Sequence, residues 1–167
     1  MTANLHGITK IVSGGQTGVD RAALDVAIEL GIEHGGWCPR GRRAEDGIIA
    51  SKYQVTETSS SDYAVRTQMN VQESDGTLIL YRERLQGGTL LTHRLAKQHD
   101  KPILRIRIDR SVNYAQIVDW LKAHCISTLN VAGPRGSSHP ELQQQAKSVL
   151  LNLFADPRVL PFYDGQD

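Results

Sequence analysis

The stretch Thr9-Lys10-Ile11-Val12-Ser13-Gly14-Gly15-Gln16-Thr17-Gly18-Val19-Asp20-Arg21 decides how this chain is read. Residues 9–13 (TKIVS) have the apolar, β-branched character of a short strand that stops at Gly14-Gly15. Beyond the glycines, Ala23, Val26, Ala27 and Leu30 recur at the i, i+3, i+4, i+7 spacing of one helical face. Gly31 is placed to end that helix as its C′ glycine. A strand that turns through glycine into a helix is the opening half of a strand–helix–strand unit.

The same alternation continues to the far end. Residues 34–47 read as a loop rich in Gly and Arg, and residues 54–58 as a short strand. Ser60 or Ser61 is placed to cap a helix over 62–72. The run 77–81 (TLILY) is continuously apolar, as in a strand buried on both faces. A helix from about Thr89 to His99 carries Leu91 and Leu95. After Pro102, residues 103–108 (ILRIRI) alternate apolar residues with Arg, which predicts a strand near an edge or with one wet face. A helix over 113–124 turns Ile117, Val118 and Leu121 inward, and 129–132 is another short buried strand. A last helix over 139–154 gathers Leu142, Ala146, Val149, Leu150 and Leu153 on one face. Strands alternating with helices predict an α/β fold with a mainly parallel sheet covered on both faces. Residues 1–155 read as one domain. Pro157, Pro161 and Gly165 mark 156–167 as an irregular tail.

Composition sets the bounds. A chain of 167 residues buries roughly 70% of its unfolded surface, so it needs no disulfide or metal staple. With 40% hydrophobic and 22% charged residues, it is neither a disordered tail nor a coiled coil. Nineteen basic against eighteen acidic residues leave a net charge of +1, which excludes a general nucleic-acid coat. Thirteen of the nineteen cations are Arg, the residue suited to bidentate contacts with phosphate or carboxylate. The two cysteines, Cys38 and Cys125, lie far apart, which fits a reduced chain. The scattered histidines predict no dedicated protein metal site. No signal-like apolar run and no stretch of ~18 apolar residues is present, so a cytoplasmic protein without a membrane span is expected.

In a parallel sheet, ligands bind beyond the carboxyl ends of the strands. Three predicted strands end there in glycine-containing loops that lead into helices. The first holds Gly14, Gly15, Gln16, Thr17, Gly18 and Arg21; the second holds Gly87, Gly88 and Thr89; the third holds Gly133, Pro134, Arg135, Ser137 and Ser138. Glycine lets the backbone approach a ligand, and the free N–H groups of a helix start favour an anion. Ser138 is also placed to cap the last helix. Three such termini at one edge predict a ligand with phosphate-like groups. Trp37, Arg40, Arg42 and Arg43 form a fourth, cationic stretch with the character of a wall or lid. Trp37 is placed either to stack on a ring or to join the core. Cys38, close to Arg40, is a candidate for a lowered thiol pKa. Asp20, Glu83 and Asp46 are the carboxylates near these loops suited to acid–base work.

The blocks SGGQTGVDRAALD (13–25), GWCPRGRRAEDG (36–47), RTQMNVQESDGTLI (66–79), GGTLLT (87–92) and LNVAGPRGSS (129–138) resemble the molybdenum cofactor carrier-like family. That family is also described as the circularly permuted YpsA branch of the SLOG superfamily. The resemblance runs in order over about residues 8–154. It implies a Rossmann-like, LOG-type α/β/α fold, a homo-oligomer (dimer or tetramer), and a small phosphorylated ligand. The implied ligand is the molybdenum cofactor, through its pterin phosphate, or a nucleotide. Some LOG proteins hydrolyse nucleoside monophosphates through a Pro-Gly-Gly-x-Gly-Thr run with a Glu soon after. Here Gln86-Gly87-Gly88-Thr89-Leu90-Leu91-Thr92 lacks the Pro, the third Gly and the Glu. The expectation is therefore a carrier- or storage-type binding protein, with nucleotide processing as the alternative.

Overall fold

The computed structural model describes residues 3–155; the tail expected at 156–167 lies outside them. The first strand, β1 (Lys10–Val12), leads through the glycine loop into α1 (Val19–Leu30), which stops at Gly31 in the left-handed conformation. Next come β2 (Glu33–Gly35), β3 (Trp37–Cys38), β4 (Arg43–Ala44), β5 (Gly47–Ile48) and β6 (Thr56–Glu57). The second half holds α2 (Tyr63–Glu73), β7 (Gly76–Tyr81), α3 (Gly87–Gln98), β8 (Ile103–Arg107), α4 (Tyr114–Ala123), β9 (Thr128–Ala132) and α5 (Leu142–Phe154).

Five strands form one sheet in the order β2-β1-β9-β7-β8, and every pair is parallel. The fold is thus the Rossmann-like α/β arrangement expected. The run TLILY is β7, deep in the sheet and buried from Gly76 to Leu80. The Arg-alternating β8 is an edge strand. Leu78 and Leu80 of β7 share a core cluster with residues of α1, α4 and α5, including Ala23, Ile117 and Leu150. Val71 of α2 packs with Leu95 and Ala96 of α3 in a separate cluster. Side chains alternate across a strand, so helices α1, α4 and α5 cover one face while α2 and α3 cover the other. Each large apolar side chain buried in this way contributes roughly 1.5–3 kcal/mol.

The strand order also positions the cleft. The chain leaves β1 by α1 on one face and moves outward to β2. It leaves β7 by α3 on the opposite face and moves outward the other way to β8. Right-handed crossovers require these opposite faces. A crevice opens at the carboxyl ends where the connections diverge, and β9 lies between the two strands.

Several local expectations are corrected. The stretch read as loop at 34–47 holds β2, β3 and the hairpin β4–β5, all of two or three residues. Asp62, rather than Ser60 or Ser61, caps α2: its carboxylate accepts from the Ala64 N–H at 2.9 Å. Gly87 and Gly88 lie inside the first turn of α3 rather than before it. Ser138 caps nothing; it belongs to a three-residue 3-10 turn, and α5 starts later, at Leu142. Trp120 is half-buried against the core beside Gly76. Among the described residues no helix is long and apolar enough to cross a membrane.

Candidate functional site

A cleft of about 520 Å³ opens at the carboxyl edge of the sheet. All three glycine loops reach it: Gly14 and Gln16 from the first, Gly87, Gly88 and Thr89 from the second, Gly133, Pro134, Arg135 and Ser138 from the third. Helix α2 closes the remaining side with Tyr63, Ala64, Arg66, Thr67 and Asn70. Gly15, Thr17, Gly18, Arg21 and Ser137 do not line the cleft. Nor do Trp37, Arg40, Arg42 and Arg43.

The three helix starts are not equivalent. At α1, the Gly18 N–H donates to Gln143 Oε1 at 3.0 Å and the Val19 N–H to the Pro134 carbonyl at 3.3 Å. Those donors are occupied by the protein itself. Gly18 has φ +84°, and a Cβ there would collide with the Pro134 carbonyl, so this position needs glycine. At the third loop, the Gly136 N–H donates to Thr17 Oγ1 at 3.0 Å. Ser137 donates through N–H (3.0 Å) and Oγ (2.7 Å) to Glu45, which also accepts from Thr17 Oγ1. Arg135 lies 3.9 Å from the same carboxylate. The chain's own Glu45 therefore sits among the donors expected to receive a ligand anion. Helix α3 differs: no side chain caps it, and a Cβ at Gly88 would meet nothing within 4 Å. A twelve-residue helix thus turns its unsatisfied N–H groups and positive dipole end towards open cleft.

The arginines divide in the same way. Arg21 donates to the Gly15 carbonyl and, bidentately, to Asp46 at 3.0 and 3.2 Å. These hydrogen bonds, aided by the charge of Arg21, hold the Asp46 carboxyl below the usual range. Arg42 donates to the carbonyls of Ile49, Ala50, Tyr53 and Val55, binding its own loop together. Trp37 donates through Nε1 to Glu73 at 2.6 Å, and its backbone is held by Asn70. Arg40 and Arg43 are exposed. The cationic stretch is thus mostly a structural brace. Cys38 is buried, and burial pushes its thiol up rather than down.

Arg66 was not singled out by the sequence reading, yet it lines the cleft as a largely buried cation. Its Nη1 donates to Asp20 Oδ2 at 3.1 Å, and the two side chains are only 13% and 7% exposed. Asp20 Oδ2 also accepts from the Gln16 N–H at 3.3 Å. Burial raises the Asp20 carboxyl above its ordinary value, against the opposing pull of Arg66 and Gln16. Of the three carboxylates suited to acid–base work, Asp20 alone lines the cleft; Asp46 is tied to Arg21, and Glu83 lies off the wall. Asn70, buried on the same wall, was also missed. Both fall in the block RTQMN, whose residues carried no loop or glycine signal. Among the described residues no group of three His, Cys, Asp or Glu side chains is placed to hold a metal ion.

A parallel sheet with its cleft at the divergence of strand order defines a Rossmann-like α/β protein. The chain belongs to the circularly permuted YpsA SLOG family, which residues 11–154 match. The crystal structure of the "Putative molybdenum carrier protein" from Syntrophus aciditrophicus SB is 47% identical, with a TM-score of 0.87, over 89% of this chain and 96% of that one. No match was found among curated proteins.

Proposed function

We propose that the cleft binds a phosphate-bearing small molecule and that the protein is a carrier or storage protein of the molybdenum cofactor type. The observation that carries this reading is the uncapped start of α3, open at Gly88, in a cleft that also presents Arg66 and Arg135. A helix start of this kind receives phosphate without further machinery. The volume of about 520 Å³ lies within the roughly 300–1,000 Å³ of small-ligand sites. The name of the 47% identical structure supports the cofactor assignment. Molybdenum in such cargo is carried on the pterin itself, so the protein supplies recognition of the phosphate and ring. In this reading the protein works in the cytoplasm as a homo-oligomer.

Calorimetric titration with the molybdenum cofactor, nucleoside monophosphates and inorganic phosphate tests the reading. Saturable binding of a phosphate-bearing compound is the expected result; heat from none of them overturns it. Ligand at ~100 times its dissociation constant stabilises the fold by ~2.7 kcal/mol, so a melting shift accompanies true binding.

Asp20 favours a second reading, nucleotide hydrolysis. A carboxyl raised by burial on a cleft wall is suited to proton transfer. Release of free base or phosphate from nucleoside monophosphates, lost in Asp20→Asn, supports it; no release by the wild type removes it.

A further inference from the structure

The cleft wall carries one aromatic ring among its lining residues, that of Tyr63. The aromatic residue marked by the sequence, Trp37, does not line the cleft: its indole N–H is bonded to Glu73 and its backbone to Asn70. Tyr63 is 39% exposed, unusual for a large side chain in this fold.

The ring is held in place. Tyr63 is the first residue of α2, and the cap on Asp62 fixes the backbone there. The Arg66 guanidinium lies over the ring, 5.4 Å from its centroid, and is itself tied to Asp20. Arg66, which lines the cleft beside it, packs on one face of the ring. A ring fixed before the ligand arrives loses little freedom on binding. Stacking of a planar base on such a ring contributes several-fold to more than a hundredfold in affinity, whatever the base.

We infer that Tyr63 is the ring-stacking residue of the cleft, and that the site selects molecules in which a phosphate is tethered to a planar heteroaromatic ring. A sugar phosphate or inorganic phosphate uses only the α3 end. The inference rests on the phosphate reading above and adds the second half of the ligand.

The test is titration of wild type, Tyr63→Ala and Tyr63→Phe with guanosine 5′-monophosphate, a phosphorylated pterin and ribose 5-phosphate. Thermal melting of each variant checks that it is folded. In Tyr63→Ala, affinity for the ring-bearing probes is expected to fall about tenfold or more. Affinity for ribose 5-phosphate is expected to stay unchanged, and Tyr63→Phe is expected to bind as the wild type does. The purine and pterin probes show which ring system the site prefers. Equal affinity of wild type and Tyr63→Ala for the ring-bearing probes overturns the inference. So does an equal loss for all three probes. Wild type that binds ribose 5-phosphate as tightly as the others overturns it while leaving the phosphate reading intact. Binding of no probe by the wild type overturns both.

Discussion

Gly14 and Arg66 occupy adjoining space with no room for a side chain between them: a Cβ on Gly14 would fall on Nη1 of the Arg66 guanidinium. The same nitrogen is the one bonded to Asp20. The first glycine loop and helix α2 are thus locked to each other through one buried ion pair.

Gly14→Ala forces Arg66 off Asp20 and leaves a buried carboxylate without its partner. A buried pair that loses one member costs about 3 kcal/mol or more. For a chain of this size that corresponds to a fall in melting temperature on the order of 10 °C. Calorimetric melting of the variant checks it; an unchanged transition would show that the pair contributes nothing.

Gly88→Ala has the opposite profile. A Cβ there meets nothing, and alanine is the better helix former by up to about 1 kcal/mol. Melting temperature holds or rises. Phosphate-ligand affinity falls, because the methyl group enters the space in front of the α3 amides. Parallel melting and titration separate the two effects.

The pH response of Asp20 has a definite sign. Its carboxyl is raised in the folded state by burial, with Arg66 and Gln16 opposing. The folded protein therefore holds the proton more tightly than the unfolded chain. This contribution to stability is complete below the unfolded pKa and is lost as pH rises through the raised folded value. Subtracting the pH profile of Asp20→Asn from that of the wild type, by melting, isolates a component that declines with rising pH. A difference that grows with rising pH refutes the assignment.

Glu45 shifts the other way. Burial pushes its carboxyl up, but hydrogen bonds from Thr17 and Ser137, with the charge of Arg135, bring it below its ordinary value. Its stabilisation is present above the unfolded pKa and is lost as pH falls through the lowered folded value. At a partly exposed site this is worth less than about 1 kcal/mol. Glu45→Gln is expected to flatten the acid limb of the stability curve by that amount.

The fold was legible where residues repeat over a long enough span. TLILY and the helical faces of α1 and α5 each constrain many positions at once, and the parallel sheet follows from their alternation. Strands β2 to β5 have two or three residues and no period to read, and β2 and β3 pair with β1 and β6, neighbours distant in the chain, whereas β6 falls inside the strand read at 54–58. The glycine loops were readable because a strand that stops at glycine before a helix has few other uses. Which helix start stays open was not readable. That depends on Gln143, Pro134, Thr17 and Glu45 reaching the other amides from elsewhere in the chain. Arg42 and Arg66 illustrate the same point. Composition marks both as cations, but only the folded chain turns one onto four carbonyls and the other into the cleft.

The most direct measurement is a crystal structure of the protein grown with the molybdenum cofactor. The phosphate is predicted within hydrogen-bond distance of the Gly87, Gly88 and Thr89 amides, with the pterin ring against Tyr63. A cofactor bound elsewhere, or a cleft that stays empty at saturating cofactor, would contradict the central claim.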